Sequence, residues 1–120
     1  MAGTPWGYSQ QQTTWAPGII DYSTAGHGGV YLDKERQAQL PDWAKVNNTL
    51  GTLQWWEEDA DWCVPFLAFL DDIRANAEDH PDEWWAKRID KSLEHALNTA
   101  RVCHPTVYAG YMASQSLKPQ

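Results

Sequence analysis

In the second half of the chain, apolar residues recur at helical spacing. Trp62, Phe66, Phe69, Leu70 and Ile73 fall at i, i+4, i+7, i+8 and i+11, which is one face of a helix. The spacing predicts a helix starting near Glu57 or Asp61 and reaching about Ala77. Pro65 lies within that range, so the helix either starts only a few residues earlier or bends there. His80-Pro81-Asp82-Glu83 reads as a second helix start, with proline at the first position and acids in the first turn. Trp85, Ile89, Leu93, Ala96, Leu97 and Ala100 form its apolar stripe down to Val102, and Pro105 ends it near His104. A short turn around Glu78 to His80 joins the two, which are expected to pack as an antiparallel pair.

The first third carries short clusters of strand-prone residues between turn formers. Residues 15–24 include Ile19, Ile20, Tyr22 and Thr24, and Val30-Tyr31-Leu32 follows. Ala25 to Gly29 lies between them with three glycines, so a β-hairpin is expected, and Thr52 to Trp55 is a candidate further strand. Asp33 is placed to cap a short helix over Lys34 to Gln39, and Pro41 opens another to about Val46; 47–51 reads as a loop. Met1 to Thr14 is polar and reads as a loosely held arm pinned by Trp6 and Tyr8. The tail from Thr106 is expected to pack through Tyr108, Tyr111 and Met112 and to fray over 113–120. The fold class is therefore α+β: one domain over 1–120, with a small N-terminal β-hairpin or sheet packed against two long antiparallel helices and short ones.

Composition changes this picture in two ways. Eight tryptophans, each able to bury roughly 200 Å², let 120 residues build a sufficient core. Charge is uneven: Glu57 to Glu83 holds ten acids against Arg74, a local −9 within a net −7, which leaves +2 for the remainder. Direct binding to nucleic acid needs the opposite sign, whereas a basic surface that would otherwise hold nucleic acid is attracted. The lack of a long apolar run or a basic-then-apolar leader implies no membrane association and a cytoplasmic protein. Cys63 and Cys103 are read as free, largely buried thiols without metal spacing.

Candidate chemistry sits in two stretches. Trp55-Trp56-Glu57-Glu58-Asp59-Ala60-Asp61-Trp62 packs four carboxylates among indoles; on a helix, Glu57 and Asp61 share a face and make at most a two-ligand site for a hard cation. A charged helix start complementing the macrodipole is the simpler reading, so no metal and no cofactor are expected. His27, within Ser23-Thr24-Ala25-Gly26-His27-Gly28-Gly29, is the alternative site residue, a general base or ligand if the hairpin folds onto the acidic run. No nucleophile elbow, P-loop or dinucleotide fingerprint accompanies it, and a structural hydrogen-bonding role is favoured. In Trp55-Trp56 and Trp84-Trp85, one ring of each pair is expected to face outward, suiting a protein interface better than a stacked base. The interface candidates are Trp55, Trp56, Glu57, Glu58, Asp59, Asp61, Asp71, Asp72, Glu78, Asp79 and Trp84.

Thr4-Pro5-Trp6-Gly7, Ala16-Pro17-Gly18-Ile19, Ser23-Thr24-Ala25-Gly26-His27-Gly28-Gly29, Glu35-Arg36-Gln37-Ala38 and Trp56-Glu57-Glu58-Asp59 with Asp61-Trp62 together resemble an uncharacterised domain family found in proteins of phages, plasmids and other bacterial mobile elements. That family supplies no catalytic residue. The resemblance implies an accessory protein acting in a bacterial cytoplasm. Together with the acidic charge, it leads to the expectation of a non-enzymatic binder of a host protein, such as an inhibitor of a CRISPR or restriction complex with a basic nucleic-acid site. A small enzyme or ligand-sequestering protein using His27 and the Glu57–Asp61 run, and a phage structural adaptor, are the alternatives.

Overall fold

The computed structural model describes residues 3–117. Its chain opens with a two-stranded ribbon, β1 (Gly3–Thr4) and β2 (Gly7–Tyr8). A four-stranded antiparallel meander follows in the order β3 (Gln11–Ala16), β4 (Ile19–Ser23), β5 (Gly28–Leu32) and β6 (Trp55–Glu57). The expected loose arm over 1–14 is thus replaced by β1, β2 and most of β3, with residues 1 and 2 lying outside the described part. The expected strand over 15–24 is split at Pro17-Gly18, where glycine takes φ +81° and reverses the chain between β3 and β4. The hairpin around Ala25 to Gly29 is present as β4–β5, with Ser23 opposite Gly28.

Register assigns the sheet's faces. Asp21 lies opposite Val30 and Val30 opposite Trp56, while Ile19 faces Leu32, so these five side chains share one face. Ile19, Val30, Leu32 and Trp56 are fully buried there in the core. The other face carries Tyr22, Tyr31 and Trp55 in mutual ring contact, closed by Trp6 edge-on to Trp55 at 5.7 Å. Gly29 has no side chain because Trp6 and the Trp56 carbonyl occupy the place where a Cβ would stand. That contact fastens the N-terminal ribbon to the sheet.

Helix α1 (Lys34–Gln39) follows β5 and is capped as expected, Asp33 Oδ1 accepting from the Arg36 N–H at 2.8 Å. Pro41 opens only a 3₁₀ turn, Asp42–Ala44. The single long helix expected from 57 to 77 is instead two, α2 (Cys63–Ala68) and α3 (Leu70–Asp79), parted at Phe69 with φ −116° and ψ 24°. Pro65 falls in the first turn of α2, where its missing N–H costs no helical hydrogen bond. The second helix, α4 (Ile89–Cys103), starts later than Pro81. Residues between are tied in tight turns, Glu83 N to His80 O and Arg88 N to Trp85 O, both 3.1 Å, that place Trp85 against the core. The expected tail is a further helix, α5 (Pro105–Ser116), with Pro105 as its first residue. Tyr111 is buried there and Met112 exposed; of the residues expected to fray, 113–116 belong to α5 and 118–120 lie outside the described part.

Packing differs from a simple helix pair. α2 lies against α4, α4 against α5, and α3 against β3, where Asn76 donates to the carbonyls of Thr14 and Trp15. Phe66, Phe69, Ile73, Trp85 and Ile89 are buried as their spacing predicts, while Trp62, Leu93 and Leu97 are half-buried against the same core. Gly110 lets α5 close on Trp43 of the 3₁₀ turn. No helix among the described residues is long and apolar enough to cross a membrane.

Candidate functional site

The acidic run is a strand end and a turn, not a helix start. β6 ends at Glu57, whose carbonyl accepts from the N–H groups of Asp61 (3.0 Å) and Trp62 (2.9 Å). Its side chain folds over the same turn, with Oε1 accepting from the Asp59 and Ala60 N–H groups at 2.9 Å each. Glu57 and Asp61 therefore do not form the two-ligand pair that a helix would give. Asp61 is instead buried: Oδ1 meets His104 Nε2 at 2.9 Å, and Oδ2 accepts from the Thr49 N–H at 2.9 Å.

His27 does reach the run. β5–β6 pairing continues through Glu58 N to Gly28 O at 3.0 Å, which brings His27 Nδ1 to 3.8 Å from Glu58 Oε1. Ligand atoms of His27, Glu57 and Asp59 lie within 4.8 Å of one another. All of this is at the surface, with the His27 and Glu58 side chains 59% and 45% exposed. Glu57 is already engaged with backbone donors, and the His27 backbone closes its own turn through Thr24 Oγ1. A hydrogen-bonded hairpin end accounts for the Glu57 side chain and the His27 backbone.

A second cluster lies on the inner face. Trp15, Trp62, Phe66, Trp84 and Trp85, with Asp21, line a cavity of about 140 Å³. Phe66 is edge-on to both Trp15 and Trp62, and His95 stacks on Trp62 at 5.3 Å, which fixes the indole orientations. Burial, and then the negative charge of Glu58, push the Asp21 carboxyl up to about 7. Cys63 is buried and pushed up to about 12, chiefly by burial, whereas Cys103 is exposed, unlike the expected pair of buried thiols.

The remaining candidates divide by exposure. Asp71, Asp72, Glu78 and Asp79 are exposed on α3, and Asp82 and Glu83 continue the acidic surface into the turn that ends at Trp84, itself 58% exposed. Asp72 is held by Arg36 at 2.6 Å, and the same guanidinium bonds the Pro17 carbonyl and sits over the Phe69 ring. Glu58 and Asp59 are exposed and Glu57 half-buried. Trp56 and Asp61 are buried and unable to meet a partner in this fold; Trp55 is half-buried under Trp6. The outward ring expected of the first tryptophan pair thus faces the second side of a sheet, because strand neighbours diverge by half a turn.

Two residues carry more than their sequence context signals. Asp21 is a lone acid between Ile20 and Tyr22 in a strand, and that burial conflict is a legible signal. His104 was read only as a helix end, and nothing local announces its contact with Asp61, 43 positions away. No curated protein and no solved structure matches the chain. Residues 1–120 match a domain of unknown function, DUF7007, and the chain belongs to that family.

Proposed function

We propose that this domain is a non-enzymatic binding protein of a bacterial mobile element, acting in the host cytoplasm on a host protein with a basic, nucleic-acid-binding surface. The observation that carries it is the group of exposed acids at the end of α3 and in the turn after it, Glu78, Asp79, Asp82 and Glu83, followed directly by an exposed indole, Trp84. Charge of this density steers a basic patch into contact, and a large aromatic at its edge supplies the anchor that charge alone lacks. The mobile-element context rests on the motif resemblance described above. The His27 cluster supports a catalytic reading less well, because it is open to water and its central carboxylate is occupied by backbone donors.

Capture from a bacterial lysate tests the proposal. The wild-type domain is expected to retain a partner that added duplex DNA displaces. A variant with Glu78, Asp79, Asp82 and Glu83 changed to their amides should retain about tenfold less at low salt, with a flatter salt dependence. Asp72 is left intact because Arg36 uses it. Equal retention by both proteins, or a partner that DNA does not displace, rules the reading out.

A further inference from the structure

The tryptophan-lined cavity has a chemistry of its own. Its volume of about 140 Å³ is close to that of an engineered apolar cavity of about 150 Å³ that holds benzene, so it takes a group of about six heavy atoms. A single unbranched side chain is within that size. Trp15, Trp62, Trp84, Trp85 and Phe66 provide aromatic walls, and Asp21 provides a carboxylate. Among the described residues no group hydrogen-bonds or ion-pairs with that carboxylate. Its oxygens nonetheless remain reachable from solvent, since no fully buried side-chain oxygen or nitrogen lacks a partner. A half-buried acid without a donor, with Glu58 adding negative charge nearby, is satisfied by a cation. Indoles reinforce the preference, because their faces attract ammonium and guanidinium groups most strongly among the aromatics.

We infer that this cavity receives a lysine side chain of the basic partner, its methylene stem against the indoles and its ammonium at Asp21. The inference rests on the function proposed above and names the contact that would give it specificity. Lysine is favoured over arginine on size alone: its stem and ammonium make about five heavy atoms against about seven for arginine, in a cavity of the size that holds a six-carbon ring. Trp84, 58% exposed, is the part of the lining most open to solvent, and it directly follows Asp82 and Glu83. The steering charge and the receiving cavity are therefore contiguous.

The test uses the intact domain and n-butylammonium chloride, the lysine side chain without its backbone, followed by the indole N–H resonances at about pH 8. Saturable shifts with a dissociation constant of order 1 mM are expected, weakened about tenfold or more in Asp21→Asn. This variant removes a buried charge, so it is expected to fold. 1-Butanol, the same length but uncharged, should give no saturable shift. The four-amide variant of α3 and its turn should bind the probe within about twofold of wild type, since the cavity is intact. No saturable shift, or equal binding by Asp21→Asn, overturns the inference. If the four-amide variant loses the probe while Asp21→Asn keeps it, cations collect on the outer surface: the cavity inference fails and the proposed function stands.

Discussion

Asp21 shows how one residue can set a pH response. Burial raises its folded-state carboxyl from 3.8 to about 7, so the folded protein holds a proton that the unfolded chain has already released. Below about pH 4 the group is protonated in both states and costs nothing. Stability then falls as pH rises toward 7, where the folded carboxyl also ionises, and levels off above that. Asp21→Asn is neutral throughout, and should therefore be more stable than wild type at about pH 8 by on the order of 2–4 kcal/mol, with the difference vanishing near pH 4. Denaturant midpoints of the two proteins across that range check the sign; parallel curves would mean the carboxyl is not held protonated. This residue was half legible in sequence. An acid amid Ile19, Ile20 and Tyr22 marks a conflict, but which face of the strand it takes, and what else lines that face, depends on pairing with β5.

At the scale of elements, legibility tracked how local the determining interaction was. The cap of α1 by Asp33 spans three residues and was readable. So was the β4–β5 hairpin, whose glycines lie in its own loop. β3 was not, because Gln11-Gln12-Thr13-Thr14 has no apolar alternation; it is an edge strand, and half of it faces water. The break between α2 and α3 at Phe69 has no glycine or proline to announce it. α5 did offer a signal, since a proline that stops one helix also suits the first position of the next. Gly110 tests how α5 docks. In an exposed helix Gly→Ala gains up to about 1 kcal/mol, but here the new methyl would meet the Cβ and ring of Trp43. Overpacking of about 1–3 kcal/mol should win, so Gly110→Ala is expected to lower the thermal midpoint. A raised midpoint would show that Trp43 yields freely.

For the molecule as a whole, Asp61 joins segments that no local pattern connects. Its two oxygens hold the loop at Thr49 and the α4–α5 corner at His104 to the entry of α2. Removing the imidazole leaves a buried carboxylate oxygen without its donor, which costs about 1–3 kcal/mol. His104→Ala should accordingly destabilise the domain by that amount in chemical denaturation, while exposed His27→Ala should be close to neutral. The reverse ranking would return His27 to the centre of the structure. The sequence predicted the α+β class and most of the helical core, yet split the acidic run wrongly: it treated Glu57 and Asp61 as one helical face when one caps a surface turn and the other is an interior strut.

The contact of Asn76 with β3 has a consequence for how this protein meets others. An edge strand ordinarily offers its backbone as a template for a strand from another chain. Here the carboxamide of Asn76 occupies the carbonyls of Thr14 and Trp15 beside a register shift between Thr14 and Ala16. That end of the edge is blunted twice, by a side chain seated on its acceptors and by a bulge that bends it. Strand addition there would have to displace α3, so chain-to-chain zippering and its aggregation are disfavoured at this edge.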